Sequence, residues 1–302
     1  MSWSSALMAS LDARATVVET DRGRVQVAVE GDGPPVLAIH GGPGGFDQGL
    51  AYCAHLRDGG CRLLAVSRPG YLRTPLDSGR GPEHQADLYA ALLDALQIDR
   101  AAILGFSSGA PSAVHFAARH RDRTTALFVD AGILLPFEPP IGPVRRATYE
   151  SAPVVRLSYR FAMKQPALAT SFMVSGVSIG LNRQERRAAA DWITSDPGRL
   201  RSIQALWSST APGKYRRPGW ANDKANEVAL PPLPFTEVTV PTIIAHGDSD
   251  AIVPVEHSTL AANTIGTADL IVVEQGHHLL SACRHYRPVA ERQLELARGH
   301  RW

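Results

Sequence analysis

The chain has 302 residues, of which 44% are hydrophobic and 20% are charged, as in an ordinary soluble globular protein rather than a disordered or fibrous one. Its 31 basic and 29 acidic residues leave a net charge of +2, which excludes a strong overall field for attracting nucleic acid or an anionic membrane. We therefore expect a small-molecule partner.

The N-terminal residues lack a basic stretch followed by a long apolar run, so we expect no secretory signal and a cytoplasmic location. The longest uncharged segment, residues 165–182, is diluted by polar residues and is shorter than a membrane-spanning helix requires. The three cysteines fit neither a disulfide framework nor the spacing of a metal site, and the histidines near the C-terminus lack that spacing too. We expect no bound metal.

Short apolar runs alternate with helical patterns along most of the chain. Residues 24–30 alternate as a half-buried strand, and residues 83–96 and 289–298 have the three- and four-residue apolar spacing of helices. Further predicted strands lie at residues 35–39, 62–66, 101–104, 125–129, 240–245 and 269–273. Strands joined by helices predict an α/β fold with a doubly wound, mostly parallel sheet.

The pattern changes between residues 134 and 235, where strand-like runs disappear, helical stretches dominate and prolines mark both borders. We interpret residues 134–235 as an inserted helical cap, or lid. The α/β core then consists of residues 1–133 and 236–302.

Every candidate for catalysis follows directly after a predicted strand, so all of them are expected at one edge of the sheet. Residues 105–109, GFSSG, follow the strand that ends at Leu104 and open a helix. This is the context of a G-x-S-x-G nucleophile turn, in which small residues flank a serine with a strained backbone. We predict that Ser107 is a nucleophile; an ordinary Gly/Ser turn is the alternative.

A serine nucleophile needs a base, and two adjacent histidines follow the last strand, in the sequence QGHH at residues 275–278. Their position agrees with the chain order Ser, acid, His. We favour His277, because Gly276 before it permits a tight turn that would direct its ring toward Ser107. His278 is the alternative.

The acid that orients the imidazole is expected in residues 246–254, HGDSDAIVP, after the strand that ends at Ala245. Asp248 is suited to forming the turn itself, through bonds to nearby backbone amides. Asp250 stands before an apolar anchor, so we predict Asp250 as the acid, with Asp248 in reserve.

A tetrahedral intermediate needs backbone donors for its oxyanion. One should be the amide of Ser108, the residue after the nucleophile. The other should come from residues 40–45, HGGPGG, which are similar to the HG-type oxyanion motif of lipases and esterases and match neither nucleotide-binding glycine motif. We choose Gly42 as this second donor.

Together these segments make the chain resemble the α/β-hydrolase fold family, and the resemblance covers nearly all of it. The motifs occur in the family's order: HGGPG at 40–44, RPGY at 68–71, GFSSG at 105–109, GDSD to Pro254 at 247–254, and GH at 276–277. The resemblance implies a Ser-Asp-His triad, no cofactor and a helical cap after the sixth strand. In the family the acid before an IVP-like run matches Asp250.

Two departures bear on the subfamily. Ser67 stands where the family often has Asp before the RPGY turn. Residues 40–45 are similar to the corresponding segment of proline iminopeptidases, but the nucleophile turn at residues 105–109, the elbow, lacks their GGSWG form. Relatives with an Asp nucleophile, such as epoxide hydrolases and haloalkane dehalogenases, are disfavoured because Ser107 occupies that place.

The expected function is that of a carboxylesterase-like serine hydrolase, which cleaves a small ester-like or related acyl substrate through an acyl-enzyme. The alternatives with the same triad are an acyltransferase, a carbon–carbon hydrolase, a lyase and a proline iminopeptidase-like aminopeptidase. A non-catalytic ligand receptor is a further alternative, because a fold does not fix a function.

Overall fold

A single eight-stranded sheet forms the centre of the computed structural model, which describes residues 2–138 and 151–299. The strands are β1 (Thr16–Thr20), β2 (Gly23–Glu30), β3 (Pro35–Ile39), β4 (Arg62–Val66), β5 (Ala101–Phe106), β6 (Thr124–Asp130), β7 (Thr242–Gly247) and β8 (Ala268–Val273). Their order across the sheet is β1-β2-β4-β3-β5-β6-β7-β8. The pairs β1–β2 and β2–β4 are antiparallel, and all the others are parallel.

The predicted fold class, a doubly wound and mostly parallel sheet, is confirmed. The parallel register brings strand ends together at one edge, since Ile39 is paired with both Val66 and Gly105, and Phe106 is paired with Asp130. Segments that follow these strands therefore converge, as required for a site at the carboxyl edge of the sheet.

Helices cover both faces of the sheet. In chain order they are α1 (Trp3–Asp12), α2 (Phe46–Tyr52), α3 (Ala54–Asp58), α4 (Pro82–Ala95), α5 (Ala110–Arg119), then α6 (Ala152–Lys164), α7 (Pro166–Val177), α8 (Arg183–Thr194), α9 (Pro197–Ser208), α10 (Arg217–Val228), and finally α11 (Glu256–Thr264) and α12 (Arg287–Ala297).

Strand β5 lies at the centre of this arrangement and is buried along its whole length. Ala102, Leu104 and Phe106 join the core under α1, α2, α3 and α12, whereas Ala101 and Ile103 join the core under α4, α5 and α11. This alternation follows from the two-residue period of a strand. It explains why β5 appears in the sequence as a continuous apolar run.

Helices α6 to α10 lie between β6 and β7, within the segment predicted as a cap. Residues 139–150 of that segment lie outside the described residues, and the cap boundaries at 134 and 235 stay a prediction. Among the helices in the described part of the chain, none has both the length and the apolar character needed to cross a membrane. The uncharged segment 165–182 contains α7.

The first two elements, α1 and β1, were not predicted. Most of strand β1 is at least partly exposed, because it forms the edge of the sheet and pairs only with β2. Its sequence, TVVET, is too short and too polar at its ends to be recognised as a strand by hydrophobic pattern alone.

A buried carboxylate at the end of β6 ties two helices to the sheet. Asp130 accepts hydrogen bonds from Tyr52 Oη at 3.1 Å, Tyr286 Oη at 2.8 Å and Gln293 Nε2 at 2.8 Å. Burial raises the pKa of Asp130 to about 6, although these three donors act in the opposite direction. Within the described residues, Asp130 is thus held in the core by hydrogen bonds and has no ion pair.

Replacing Tyr286 by Phe should lower the free energy of unfolding by about 1–3 kcal/mol, because Asp130 loses one of its three buried donors. Urea unfolding at neutral pH measures this change. Tyr159→Phe, at a partly buried tyrosine that packs edge-on against Trp3, is the matched control and should change the free energy by less than about 0.5 kcal/mol. Equal effects of the two substitutions would contradict the structural role of Asp130.

Candidate active site

Ser107 lies in a sharp turn between β5 and α5, in a short 3-10 segment at Ser107–Gly109. Its φ of +52° is in the left-handed region, which costs a non-glycine residue about 1–3 kcal/mol. The flanking glycines make this turn possible. A Cβ atom on Gly105 would lie 2.6 Å from Ala113 Cβ, and a Cβ atom on Gly109 would lie 2.4 Å from the carbonyl oxygen of Ile39. The G-x-S-x-G pattern is therefore a steric requirement here.

A histidine and an aspartate are connected to this serine by hydrogen bonds. His278 Nε2 lies 3.1 Å from Ser107 Oγ, and His278 Nδ1 lies 2.8 Å from Asp250 Oδ2. Because a carboxylate only accepts, Nδ1 carries the proton and Nε2 is free to accept the serine hydroxyl proton. The three side chains are buried and come from the ends of β5, β7 and β8.

The carboxylate of Asp250 is held by its own loop. Asp250 Oδ1 accepts the amides of Ile252 at 2.7 Å and Val253 at 3.0 Å, so Oδ2 is directed to the imidazole. Burial raises the pKa of Asp250, but His278 and these hydrogen bonds outweigh it and hold the pKa below its ordinary value. Asp248, the reserve candidate, is exposed, and the side-chain hydrogen bond it accepts from the described residues comes from Ser249 Oγ at 2.9 Å.

The preference for His277 as the partner of Ser107 was wrong, and the alternative, His278, occupies that place. The His277 ring is fully buried, and neither of its nitrogens has a hydrogen-bond partner in the described part of the chain. It lines a small cavity together with Leu181 and Cys283. Burial lowers its pKa to about 4.

The reason for the error lies in Gly276. A Cβ atom there would lie 2.8 Å from Gly247 Cα and 2.7 Å from the carbonyl oxygen of Val273. Gly276 is thus needed where residues 275–278, the histidine loop, cross residues 246–254, the acid loop. It does not direct the next side chain to the serine. Of the two adjacent histidines, His278 is the one whose ring lies within hydrogen-bond distance of Ser107.

The glycine loop at residues 40–45 approaches the serine from the end of β3. A Cβ atom on Gly41 would lie 2.9 Å from Ser107 Cβ, so only glycine fits beside Ser107. The Gly41 amide is occupied by Gln48 Oε1 at 2.8 Å, whereas the Gly42 amide donates no hydrogen bond to the residues that the structure describes. Ser108 is the second residue of the 3-10 segment, in the first turn, where amides lack intrahelical acceptors.

Comparison with known proteins identifies the family. A family model described as alpha/beta hydrolase fold matches residues 34–282. The chain belongs to the alpha/beta hydrolase fold family.

Three relatives illustrate the range of this similarity. The structure of an alpha/beta hydrolase fold protein from Nakamurella multipartita superimposes with a TM-score of 0.90 at 34% identity, over 94% of this chain and 99% of that one. The uncharacterized hydrolase YcgS of Bacillus subtilis (strain 168) is 32% identical over 120 residues, 40% of this chain and 42% of that protein. The 2-hydroxymuconate semialdehyde hydrolase of Pseudomonas sp. (strain CF600) is 25% identical over 88% of this chain and 85% of its own length.

This alpha/beta hydrolase also places acidic side chains of α10 next to the Ser107 turn, and no motif in the sequence indicates them. Ser108 Oγ donates to Glu227 Oε1 at 2.7 Å, and Asp223 lies beside Gly42. The available signal is the spacing of Trp220, Asp223 and Glu227, which places all three on one helix face. Nothing in that spacing says which part of the core the face covers.

No group of three or more His, Cys, Asp or Glu side chains within residues 2–138 and 151–299 is arranged to hold a metal ion.

The buried His277 should make stability depend on pH. The ordinary pKa of a histidine, 6.5, applies to the unfolded chain, and the pKa of His277 in the folded chain is about 4. Between these two pH values only the unfolded chain binds the proton. The free energy of unfolding should therefore fall as pH is lowered from 6.5 to 4, by up to about 1.4 kcal/mol per pH unit from this histidine.

Urea titrations at several pH values measure this slope. His277→Leu should make the slope shallower than in the wild-type chain, because leucine binds no proton. His84→Gln, at an exposed histidine, should leave it unchanged. A His277→Leu chain with the wild-type slope would contradict the buried, neutral state of this imidazole.

Proposed function

We propose that this chain is a serine hydrolase that cleaves a small ester-like or related acyl substrate through an acyl-enzyme. The proposal rests on the continuous chain of hydrogen bonds from Ser107 Oγ through His278 to Asp250. A nucleophile, a base and an orienting acid in this arrangement are what acyl transfer requires.

In the proposed first step, Ser107 Oγ attacks the substrate carbonyl while His278 Nε2 takes the hydroxyl proton. The resulting imidazolium is stabilised by Asp250, whose lowered pKa keeps it ionised. His278 then donates the proton to the leaving group, and the acyl group stays on Ser107. In the second step His278 deprotonates water, which cleaves the acyl-enzyme and restores the serine.

The developing oxyanion would be bound by the backbone amides of Gly42 and Ser108. Two features support this assignment: the Gly42 amide has no acceptor among the described residues, and the Gly41 amide beside it is already occupied. Such donors act strongly because they are fixed before the charge develops.

The helices between β6 and β7 would form the cap over this site. Their contribution is supported by Val177 at the end of α7, whose carbonyl accepts the amides of Ala251 and His278. The cap segment thus contacts both the acid loop and the histidine loop. Side chains presented by the cap would select the substrate.

Hydrolysis of a carbon–carbon bond is the second candidate, because a relative matched over 88% of this chain is named as 2-hydroxymuconate semialdehyde hydrolase. The same triad could serve this reaction. Product analysis with an ester substrate and with a vinylogous 1,5-diketone substrate distinguishes the two, since only the ester gives an alcohol and an acid. Adding an acceptor alcohol or amine to the ester reaction tests for acyl transfer.

Ser107→Ala and His278→Gln should each lower kcat for p-nitrophenyl acetate by about a thousandfold or more, because each removes one member of the triad. Steady-state kinetics and a thermal melt of each variant measure the effect. His277→Leu is the matched control one residue away, and it should keep kcat within about tenfold of wild type. Turnover that survives Ser107→Ala would refute the proposed nucleophile, and a larger loss in His277→Leu than in His278→Gln would refute the proposed base.

A further inference from the structure

Arg68, in the turn after β4, has its guanidinium buried directly behind the nucleophile turn. Arg68 Nη1 donates to the carbonyl oxygen of Ser108 at 3.2 Å and to Asp223 Oδ1 at 2.8 Å, and Nη2 donates to Asp223 Oδ2. Its side chain is 2% exposed and that of Asp223 is 3% exposed. Both terminal nitrogens of the guanidinium are therefore engaged inside the protein, while Nε is buried without a partner among the described residues.

The backbone of the same arginine holds the glycine loop. The Arg68 amide donates to His40 Nε2 at 3.0 Å, so His40 Nδ1 carries the proton and donates to the carbonyl oxygen of Gly41 at 2.6 Å. Burial, followed by the charge of Arg68, lowers the pKa of His40 well below its ordinary value, which keeps this tautomer neutral. Arg68 thus contacts the Ser108 backbone directly and the backbone of the glycine loop through the His40 ring.

The partner of Arg68 comes from α10 and touches the glycine loop as well. A Cβ atom on Gly42 would lie 3.0 Å from Asp223 Oδ2 and 3.0 Å from the Trp220 ring. Tyr71 Oη donates a further hydrogen bond to Asp223 Oδ2. The carboxylate is therefore enclosed by groups that belong to the core turn after β4 and to the glycine loop.

We propose that Arg68, fixed by Asp223, is a positioning residue that sets the distance between the Gly42 and Ser108 amides. The inference rests on the proposed function of Ser107. It assigns a task to the α10 face of Trp220 and Asp223: packing of this helix on the core sets the geometry of the oxyanion donors. A planar guanidinium suits this task because its donors diverge at fixed angles and reach two acceptors at once.

Two substitutions separate this role from a purely electrostatic one. Arg68→Lys keeps the positive charge but loses the forked geometry. A role in positioning therefore predicts a lower kcat, whereas a role of charge alone predicts an unchanged kcat. Asp223→Asn removes a negative charge next to Gly42, which by charge alone would favour an oxyanion and raise kcat. Positioning predicts that kcat falls.

Kinetics on p-nitrophenyl acetate and inhibition by an alkyl trifluoromethyl ketone form the test. In both variants kcat should fall about 10- to 100-fold, as expected for a displacement of about 1 Å, with KM within about threefold of wild type. Affinity for the ketone, whose adduct with Ser107 bears an oxyanion, should fall by the same factor as kcat/KM. Affinity for a neutral alkyl amide that binds without reacting should stay unchanged.

Tyr71→Phe removes only the hydroxyl that contacts Asp223, and it should lower kcat several-fold at unchanged KM. This variant replaces Arg68→Lys or Asp223→Asn in the test if either of them does not fold, as judged by thermal melts and gel filtration. Tyr286→Phe, which removes a buried hydrogen bond away from this cluster, is the control for reduced stability and should leave kcat unchanged.

Wild-type kcat in folded Arg68→Lys, a raised kcat in Asp223→Asn, or unchanged kinetics in Tyr71→Phe would each overturn the positioning role. Equal losses of affinity for the ketone and the amide would also overturn it, because they would mean a change in general substrate binding. A wild-type protein that does not hydrolyse the ester and does not bind the ketone would instead refute the proposed function itself.

Discussion

The strained turn at Ser107 is the constraint on which the rest of the site depends. A serine with φ of +52° is stable only if its surroundings prevent the backbone from relaxing. Here the backbone at the end of β3 prevents relaxation, because it packs so closely against Gly109 that no side chain would fit there. Because β3 and β5 are parallel neighbours, this contact also places the glycine loop after β3 beside the nucleophile. The sheet register thus sets the relation between the serine and its nearest backbone donors.

The same register explains why the fold could be predicted from the sequence. Buried parallel strands must be apolar on both faces, so β3, β4 and β5 appear as continuous apolar runs with turn residues between them. Strand β1 escaped prediction because it lies at the edge and is paired on one side only. Ser107 could be identified because the strain of its turn demands glycine at both flanking positions, which leaves a visible pattern.

The choice between His277 and His278 could not be made from the sequence by the same logic. Both histidines are buried, and the glycine before them is required by the close approach of Gly247, a contact between loops that are distant in the chain. Which of two adjacent side chains faces the serine depends on such contacts. The α10 residues that lie behind the elbow were invisible for a similar reason, since the position of an inserted helix on the core follows from tertiary packing.

Buried charges in this region belong to linked groups. Arg68 is compensated by Asp223, and Arg216, which is also buried, is bound to Asp47 and to the carbonyl oxygen of Gly44. Removing one partner of such a pair leaves an uncompensated charge in the interior, which costs several kcal/mol. The Arg68–Asp223 pair connects the segment between β6 and β7 with the turn after β4, whose Arg68 amide donates to His40, and Arg216 connects that segment with α2 and with Gly44. Packing of the segment and the geometry of the glycine loop are therefore coupled.

The central claim is that Ser107 is the residue activated by its neighbours, and covalent labelling tests it most directly. The intact protein is treated with a fluorophosphonate, and the modified peptide is identified by mass spectrometry in wild type and in His278→Gln. We expect one phosphonyl group on Ser107, formed much more slowly in the variant. Labelling at another serine, or labelling of Ser107 at the same rate in both proteins, would contradict it.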